Sequence, residues 1–416
     1  MKVLYDSRVL VSAFLEGAAI NKTGIFRFVE NLALGLEKKE EVALNLFTAL
    51  NASESTLWQN KILELAHLKQ IPHFNLYHPL HGQIEALSKK LERSASVKKF
   101  FLKSYRESLR LILNYSKKQV TKLNEFDLFF SPYHPAPRLV REKKQLMCIN
   151  TIHDLIPLKF PHFFKEDKRS FFDRMLKKIK PWQYFFALSE STKADICHYY
   201  GISPSRIFVV HSAPTPGLFY PVKEKSKIDS IRAKYKINGP YFLSLATLEP
   251  RKNIPFLVDA FLSLIEERPD IELTLVLTGA KGWGSNALLD KIKMHPKRIV
   301  FTGFVEDQDL AALYSGAMAF VYPSLYEGFG LPPLEAMSCG VPTLVSDISS
   351  LPEVVGSAGL YADPNHKDDF CEQMKRLYDD GPLREALREK ALIQAKKFTW
   401  DQNTQVAFQA FKKILS

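Results

Sequence analysis

Arg251 and Lys252 stand side by side in the segment L-S-L-A-T-L-E-P-R-K-N, directly after an apolar run and just ahead of a helical pattern starting near Ile254. Two adjacent cations before a helix N-terminus suit a diphosphate, because their donors add to the positive end of the helix. An isolated Arg-Lys pair also reads as solvated loop charge with Asn253 as the helix cap; the place at a strand end is what gives it chemical meaning. A second segment, V-Y-P-S-L-Y-E-G-F-G-L-P-P-L-E-A-M over residues 321–337, sets Glu327 and Glu335 eight residues apart across another strand–loop–helix junction. Pro332 and Pro333 suit the first turn of that helix, and Gly340 suits its end. The loop Gly328-Phe329-Gly330-Leu331 can present free backbone N–H groups at the positive end of the helix, where phosphate would be held, and Glu335 can then grip a ribose diol. Singly, Glu335 reads as a helical surface acid and Glu327 as a turn residue. Glycines, prolines and two carboxylates in this order are hard to explain as solvated surface.

These residues need a scaffold that gathers strand ends, and the chain alternates short β-rich runs with amphipathic helices. Strands are expected at 2–6, 42–47, 126–130, 146–152, 184–189 and 207–212, and a helix from Ile25 to Leu36 whose apolar positions Phe28, Val29 and Leu32 share one face. Apolar periodicity lapses over 212–230, where Pro and Lys accumulate as in an interdomain linker. A second series follows, with strands at 241–247, 272–279, 298–303, 319–324 and 343–347. This is α/β order in two Rossmann-like halves facing each other across a cleft. The expected division is 1–218 for the first half and 219–399 for the second. In such open sheets ligands lie beyond the C-terminal strand ends, the rule that selects the residues above.

The chain has 416 residues, 46% of them apolar and 25% charged, with only four cysteines, which excludes disordered, collagen-like and disulfide-scaffold classes. Cys148, Cys197, Cys339 and Cys371 form no metal-spaced pair, so no zinc site is expected. Asp307-Gln308-Asp309 is the one acidic D-x-D, and it reads as helix-capping acids ahead of L-A-A-L-Y-S-G-A; no metal is expected. Asp6 and Arg8 interrupt the opening segment where a signal peptide needs an unbroken apolar stretch, and no run reaches membrane-spanning length. A cytoplasmic protein is expected.

The combination E-G-F-G-L-P-P-L-E-A-M with the upstream T-L-E-P-R-K-N resembles the retaining glycosyltransferases of family 4, which have the GT-B fold. The resemblance extends to L-P-E-V-V-G-S-A-G (351–359), T-G-I-F-R-F-V-E-N-L (23–32) and T-I-H-D-L-I-P (151–157), so it spans nearly the whole chain. It implies a nucleotide-sugar donor on the C-terminal domain and an acceptor on the N-terminal one. Arg251 and Lys252 would hold the diphosphate, Glu335 the ribose and Glu327 a hydroxyl of the donor sugar. His153 would sit beside the transferred sugar, Asp154 would orient His153 or the backbone, and Thr23-Gly24 would approach the phosphates. It also implies retention of anomeric configuration without a metal, and a last helix, 400–416, crossing back to the N-terminal domain. Within the family T-L-E-P-R-K-N and H-D-L-I-P look most like mannosyltransferases, which favours GDP-mannose over a UDP- or dTDP-sugar. Two places depart from the family pattern: Phe26 replaces a frequent second glycine, and His211-Ser212 replaces a frequent Asn-Gly.

Charge is unevenly placed. Residues 1–220 hold 33 Lys and Arg against 20 Asp and Glu, while the remainder hold 24 against 25. Residues 97–113 can form a basic amphipathic helix, and the Lys98–Arg110 region reads either as a peripheral contact with the cytoplasmic face of an anionic membrane, reaching a lipid-linked saccharide acceptor, or as a core-packed helix with a solvated face. No recognition motif for nucleic acid accompanies the charge. Two other classes share the fold: a nucleotide-sugar epimerase, which needs no acceptor, and a non-catalytic membrane-binding partner of a transferase.

Overall fold

The computed structural model describes residues 1–10, 24–48, 73–75, 121–143, 145–163, 179–180, 182–282 and 286–416. The basic helix expected over 97–113 lies outside these residues. Two parallel sheets organise the rest. The first has seven strands: β1 (Lys2–Asp6), β2 (Ala43–Thr48), β3 (His73–Asn75), β4 (Leu128–Ser131), β5 (Met147–Ile152), β6 (Tyr184–Ala187) and β7 (Ile207–Val209). The second has six: β8 (Tyr241–Leu245), β9 (Thr274–Thr278), β10 (Ile299–Gly303), β11 (Ala319–Tyr322), β12 (Thr343–Ser346) and β13 (Gly359–Ala362). Their spatial orders, β3-β2-β1-β4-β5-β6-β7 and β10-β9-β8-β11-β12-β13, both run outward from a reversal point. That point lies between β1 and β4 in one sheet and between β8 and β11 in the other. A crevice opens where the strand order reverses, because consecutive crossovers leave toward opposite sides.

The expected strands form where apolar runs predicted them, while β3 and β13 were not anticipated. Each is an edge strand of three or four residues, too short for a periodic signal. The helix Gly24–Glu37 buries Phe28, Val29, Leu32 and Leu36, and Phe26 is buried beside them. Here the aromatic ring serves as core packing in place of the family's glycine.

The last helix, Trp400–Leu415, packs on the N-terminal half. Phe411 stacks on Phe186 at 5.7 Å between ring centroids and meets Phe130 edge-on at 5.4 Å. Trp400 packs edge-on against Phe28 and donates its indole N–H to the Pro214 carbonyl at 3.0 Å. Gly35 allows the close approach: a Cβ at that position would collide with Thr404. Lys39 to Gln405 (2.7 Å) and Lys412 to Glu41 (3.0 Å) flank the seam. Among the described residues no helix is long and apolar enough to cross a membrane.

Because Phe411 is fully buried between two aromatic rings of the first sheet, Phe411→Ala should cost about 3–5 kcal/mol of stability. The denaturant midpoint of unfolding checks this, and an unchanged midpoint would contradict the packing described.

Candidate active site

Arg251 and Lys252 leave β8, and the segment Ser324–Leu331 leaves β11, so the two strands flanking the reversal point of the second sheet deliver both sets of candidate residues. Pro250–Lys252 forms a single 3-10 turn, after which Asn253 takes a left-handed conformation (φ 56°) and the helix Ile254–Glu267 begins. Asn253 does not cap that helix with its side chain; its amide donates instead to the Pro364 carbonyl at 2.9 Å.

Glu327 is buried at the centre of this site. Its Oε1 accepts from Lys252 Nζ at 2.6 Å, the Tyr322 hydroxyl at 2.8 Å and the Ser324 hydroxyl at 2.6 Å, and lies in ion-pair contact, at 2.8 Å, with Arg251 Nη1, which donates to the Tyr326 carbonyl. Burial opposes ionisation of Glu327, but Arg251, Lys252 and the hydrogen bonds outweigh it and hold the carboxyl down to about 2. Lys252 also donates to the Tyr322 hydroxyl at 2.5 Å, and Arg251 pairs with Glu249 at 2.6 Å. Burial and the charge of Arg251 lower the proton affinity of Lys252, and Glu327 works in the other direction. The cations are therefore oriented by a carboxylate before any ligand arrives.

The loop after Glu327 is held by its carbonyls. The Ser350 hydroxyl donates to Glu327 O (3.0 Å) and Phe329 O (2.7 Å), and the Glu327 N–H donates to Ser349 at 3.0 Å. Gly330 adopts φ 109°, a conformation open to glycine, and delivers the chain to the helix Leu331–Ser338 with prolines in its first turn. Among the described residues the backbone N–H groups of Phe329 and Gly330 find no acceptor. They add to the positive end of that helix. Glu335, one turn in, receives the Tyr314 hydroxyl at 3.2 Å. Burial raises Glu335 to about 7; Arg27 and Tyr314 pull it down, and Asp307 adds to the rise.

The N-terminal half supplies the facing wall. His153 follows β5 and is half-buried, with Nε2 2.7 Å from the Pro132 carbonyl. A carbonyl only accepts, so Nε2 carries the proton and Nδ1 is left as an acceptor. Burial lowers His153 to about 4, against the effect of that hydrogen bond, so the ring is neutral at physiological pH. Phe28 and Tyr133 pack edge-on against it. Asp154 Oδ1 accepts the Ile156 N–H at 3.0 Å and so orients backbone, not the His153 ring. Gly24 reaches the cleft beside Leu331, whereas Thr23 lies outside the described residues.

A cleft of ≈ 470 Å³ joins these groups: Gly24, Arg27, His153 and Asp154 on one side, Arg251, Lys252 and Glu327–Leu331 on the other, with Glu335 at one end. That volume is in the range of small-ligand sites. Arg27 spans the cleft, donating to Thr215 (2.8 Å) and Asp307 (3.0 Å). Asp309 receives Lys234 at 2.6 Å and Tyr235 at 2.7 Å. The D-x-D acids thus occupy the first turn of the helix Asp307–Ser315, with Glu306 and not an aspartate at its cap, and both are engaged by protein donors. His211 pairs with Glu353 at 2.7 Å, tying the two halves where Asn-Gly was expected from the family pattern.

The sequence did not single out Tyr322, Ser324, Tyr314 or Arg27. Tyr322 and Ser324 do lie at the end of the apolar run A-F-V-Y-P-S, where the strand-end rule would find them.

A family model described as glycosyl transferases group 1 matches residues 227–414, and one described as glycosyltransferase family 4 matches residues 72–213. The O-antigen chain mannosyltransferase B of Escherichia coli is 30% identical over 363 residues, covering 85% of this chain and 94% of that protein. The chain belongs to the group 1 glycosyl transferases. The serotype-specific mannosyltransferase WbdA of Escherichia coli is 34% identical over 268 residues, 63% of this glycosyltransferase and 33% of WbdA, so the chain spans about a third of that longer relative. Among solved structures, Anabaena HepE in complex with UDP and glucose aligns over 99% of both chains with a TM-score of 0.63 at 16% identity. WaaG, a glycosyltransferase involved in lipopolysaccharide biosynthesis, aligns over 98% of both chains with a TM-score of 0.60 at 13% identity. At such identities these two show the fold that this glycosyltransferase shares, the GT-B arrangement of two facing Rossmann-like halves.

Glu327 is depressed from the usual 4.5 to about 2 in the folded glycosyltransferase, so its stabilising contribution is complete above 4.5 and is lost as pH falls toward 2. The loss should amount to about 3 kcal/mol. Urea unfolding at pH 5 and pH 3 should show a smaller pH effect in Glu327→Gln than in the wild type.

Proposed function

We propose that this glycosyltransferase moves a hexose, mannose in the favoured reading, from a nucleotide-sugar donor to a saccharide or lipid-linked saccharide acceptor in cell-surface glycan assembly, with retention and without a metal. GDP-mannose is favoured over UDP- and dTDP-sugars. The observation that carries the reading is the meeting, at the reversal point of the second sheet, of Arg251 and Lys252 from the end of β8 with the loop Glu327–Leu331 from the end of β11. The mannosyltransferase names of the relatives support the sugar, and the basic segment Lys98–Arg110 supports a peripheral membrane contact.

In this reading the donor diphosphate lies between Arg251, Lys252 and the N-terminus of the helix Leu331–Ser338. Charge that develops on the departing phosphate meets donors already fixed by Glu327, so little reorganisation is needed at the transition state. Neither acid of the D-x-D is required, since Asp307 and Asp309 already serve Arg27, Lys234 and Tyr235. Glu327 Oε2 is left for a hydroxyl of the donor sugar, because the donors converge on Oε1. His153, neutral and with Nδ1 as an acceptor, takes a second sugar hydroxyl and does not act as an acid. The acceptor hydroxyl attacks the anomeric carbon on the face from which the phosphate departs. Its oxygen bonds to that carbon as the carbon–phosphate-oxygen bond breaks, and its proton passes to the leaving phosphate. A glycoside and a nucleoside diphosphate result.

Lys252→Ala should lower turnover by the equivalent of about 2–4 kcal/mol while the chain stays folded. Equal turnover would remove the diphosphate assignment. A thermal-shift panel of GDP, UDP, dTDP and ADP, with and without magnesium, identifies the base, since a ligand that binds only the folded chain raises its melting temperature. One nucleotide should stabilise in both conditions.

A further expected outcome concerns pH. A ribose hydroxyl donates to an ionised carboxylate, and burial pushes Glu335 up to about 7. Affinity for an intact nucleotide sugar should therefore fall as pH drops from 8 to 6, and Glu335→Gln should bind weakly with no such slope. Calorimetric titration across this range decides it.

A further inference from the structure

Next to the aromatic surround of His153, the N-terminal half holds a second, half-open hollow of ≈ 30 Å³. Its walls include Tyr133 from the loop after β4, Asn150 and Thr151 near the end of β5, Gln183 and Phe185 where β6 begins, and Arg141 from the helix Arg138–Arg141. Tyr133 links it to the cleft, because the same ring packs edge-on against His153, which lines that cleft.

The polar groups around this hollow are hydrogen-bond donors. The Asn150 amide oxygen accepts the Ala136 N–H at 3.2 Å, and the Gln183 amide oxygen accepts the Lys180 N–H at 2.9 Å. A backbone N–H only donates, so each amide must turn its oxygen to the backbone, and its NH2 group is what remains. Neither NH2 group has an acceptor among the described residues. Arg141 can only donate, and its Nε is shut off from solvent with no acceptor among the described residues. The Thr151 hydroxyl, on a residue 3% exposed, is likewise buried without a partner among them. Among the described residues no carboxylate lines the hollow. Burial pushes the Cys148 thiol up to about 12, with Arg141 acting in the other direction, so that thiol stays neutral and supplies no counter-charge. A surface arginine keeps its N–H groups in water; one with a dry, unmet Nε–H forfeits a hydrogen bond until an acceptor arrives.

We infer that the hollow is an oxyanion site, in which the Nε–H and Nη–H edge of Arg141 grips two oxygens of a carboxylate or phosphate group and the free amide hydrogens of Asn150 and Gln183 complete the shell. That edge of a guanidinium is a fork that meets such groups with two parallel hydrogen bonds. The size agrees: ≈ 30 Å³ is room for about two water-sized spheres, enough for two anion oxygens and too little for a sugar ring. The remainder of the ligand therefore stays outside the hollow. Its place in the N-terminal half, one aromatic ring from His153, fits an anionic group carried by the acceptor, on an acidic or a phosphorylated sugar. The link to the acceptor rests on the function proposed above, whereas the oxyanion site does not.

The test is calorimetric titration and thermal shift of the full chain with inorganic phosphate, acetate and glucuronate, with glucose as the uncharged control. Phosphate should raise the melting temperature of the wild type and of Lys252→Ala to a plateau, in contrast to the steady rise an excluded salt gives. Arg141→Met keeps the aliphatic stem and removes the donors. It should lose the plateau, yet melt near the wild type in the absence of anion, because the group removed was an unmet buried donor. Arg141→Lys keeps the charge without the fork and should bind phosphate about tenfold more weakly; it decides the matter if Arg141→Met folds poorly. Saturable binding by none of the anions, or wild-type affinity in Arg141→Lys, overturns the site. If the response survives in Arg141→Met and is lost in Lys252→Ala, phosphate sits in the main cleft, the oxyanion site is overturned and the diphosphate assignment stands. Glucuronate bound more tightly than acetate, with glucose not bound, supports an acceptor-borne anion. Equal affinities for acetate and glucuronate make the ligand a free anion, which keeps the site and overturns its link to the acceptor. The nucleotide panel and the turnover of Lys252→Ala test the proposed function separately, so either can fail while the other stands.

Discussion

A single carboxylate oxygen organises one wall of the cleft between the two halves. Oε1 of Glu327 receives two cations and two hydroxyls, and each donor comes from the end of β8 or β11. Without the acid, Arg251 and Lys252 would be two like charges buried side by side, an arrangement that costs several kcal/mol unless a counter-charge is present. With it, they are held in place and still present surplus donors to the cleft. The reversal of strand order in the second sheet exists in the same spot for a topological reason, and the acid converts that geometric opening into an electrostatic one.

The wall facing it is built on different physics. His153, Phe28 and Tyr133 make an apolar and aromatic surround in which the imidazole stays neutral, while the charged groups of Arg27 and Asp307 close the end near Glu335. The cleft is therefore graded, with ion pairs on the C-terminal side and an aromatic surround of His153 on the facing one. Such a gradient suits a reaction in which negative charge leaves toward one side as positive charge builds on the ring.

Much of the arrangement was legible in the residue order. The apolar runs that became β8 and β11 are buried on both faces, and the polar residues just past them are confined to the site by topology. Arg251, Lys252, Glu327 and Glu335 could thus be found without coordinates. Tyr322 was hidden because it is both the last strand residue and a hydrogen-bonding group, and an apolar count registers only the first role. Arg27 and Glu353 were not legible at all, since their partners lie on the other sheet and local periodicity carries no information about how two halves meet. Short edge strands such as β3 and β13 escaped for another reason, being fixed by a neighbour's hydrogen bonds more than by their own side chains.

The return of the final helix to the first sheet has a consequence for how the chain comes into being. Phe130 and Phe186 belong to the first half by sequence, yet the ring that covers them, Phe411, is made only after the whole second sheet. During synthesis the first sheet must wait with an uncovered aromatic face through the making of the whole second sheet. Synthesis of the helix Trp400–Leu415 is then also the event that seals the first sheet, so the two halves reach their final stability together although one is made well before the other.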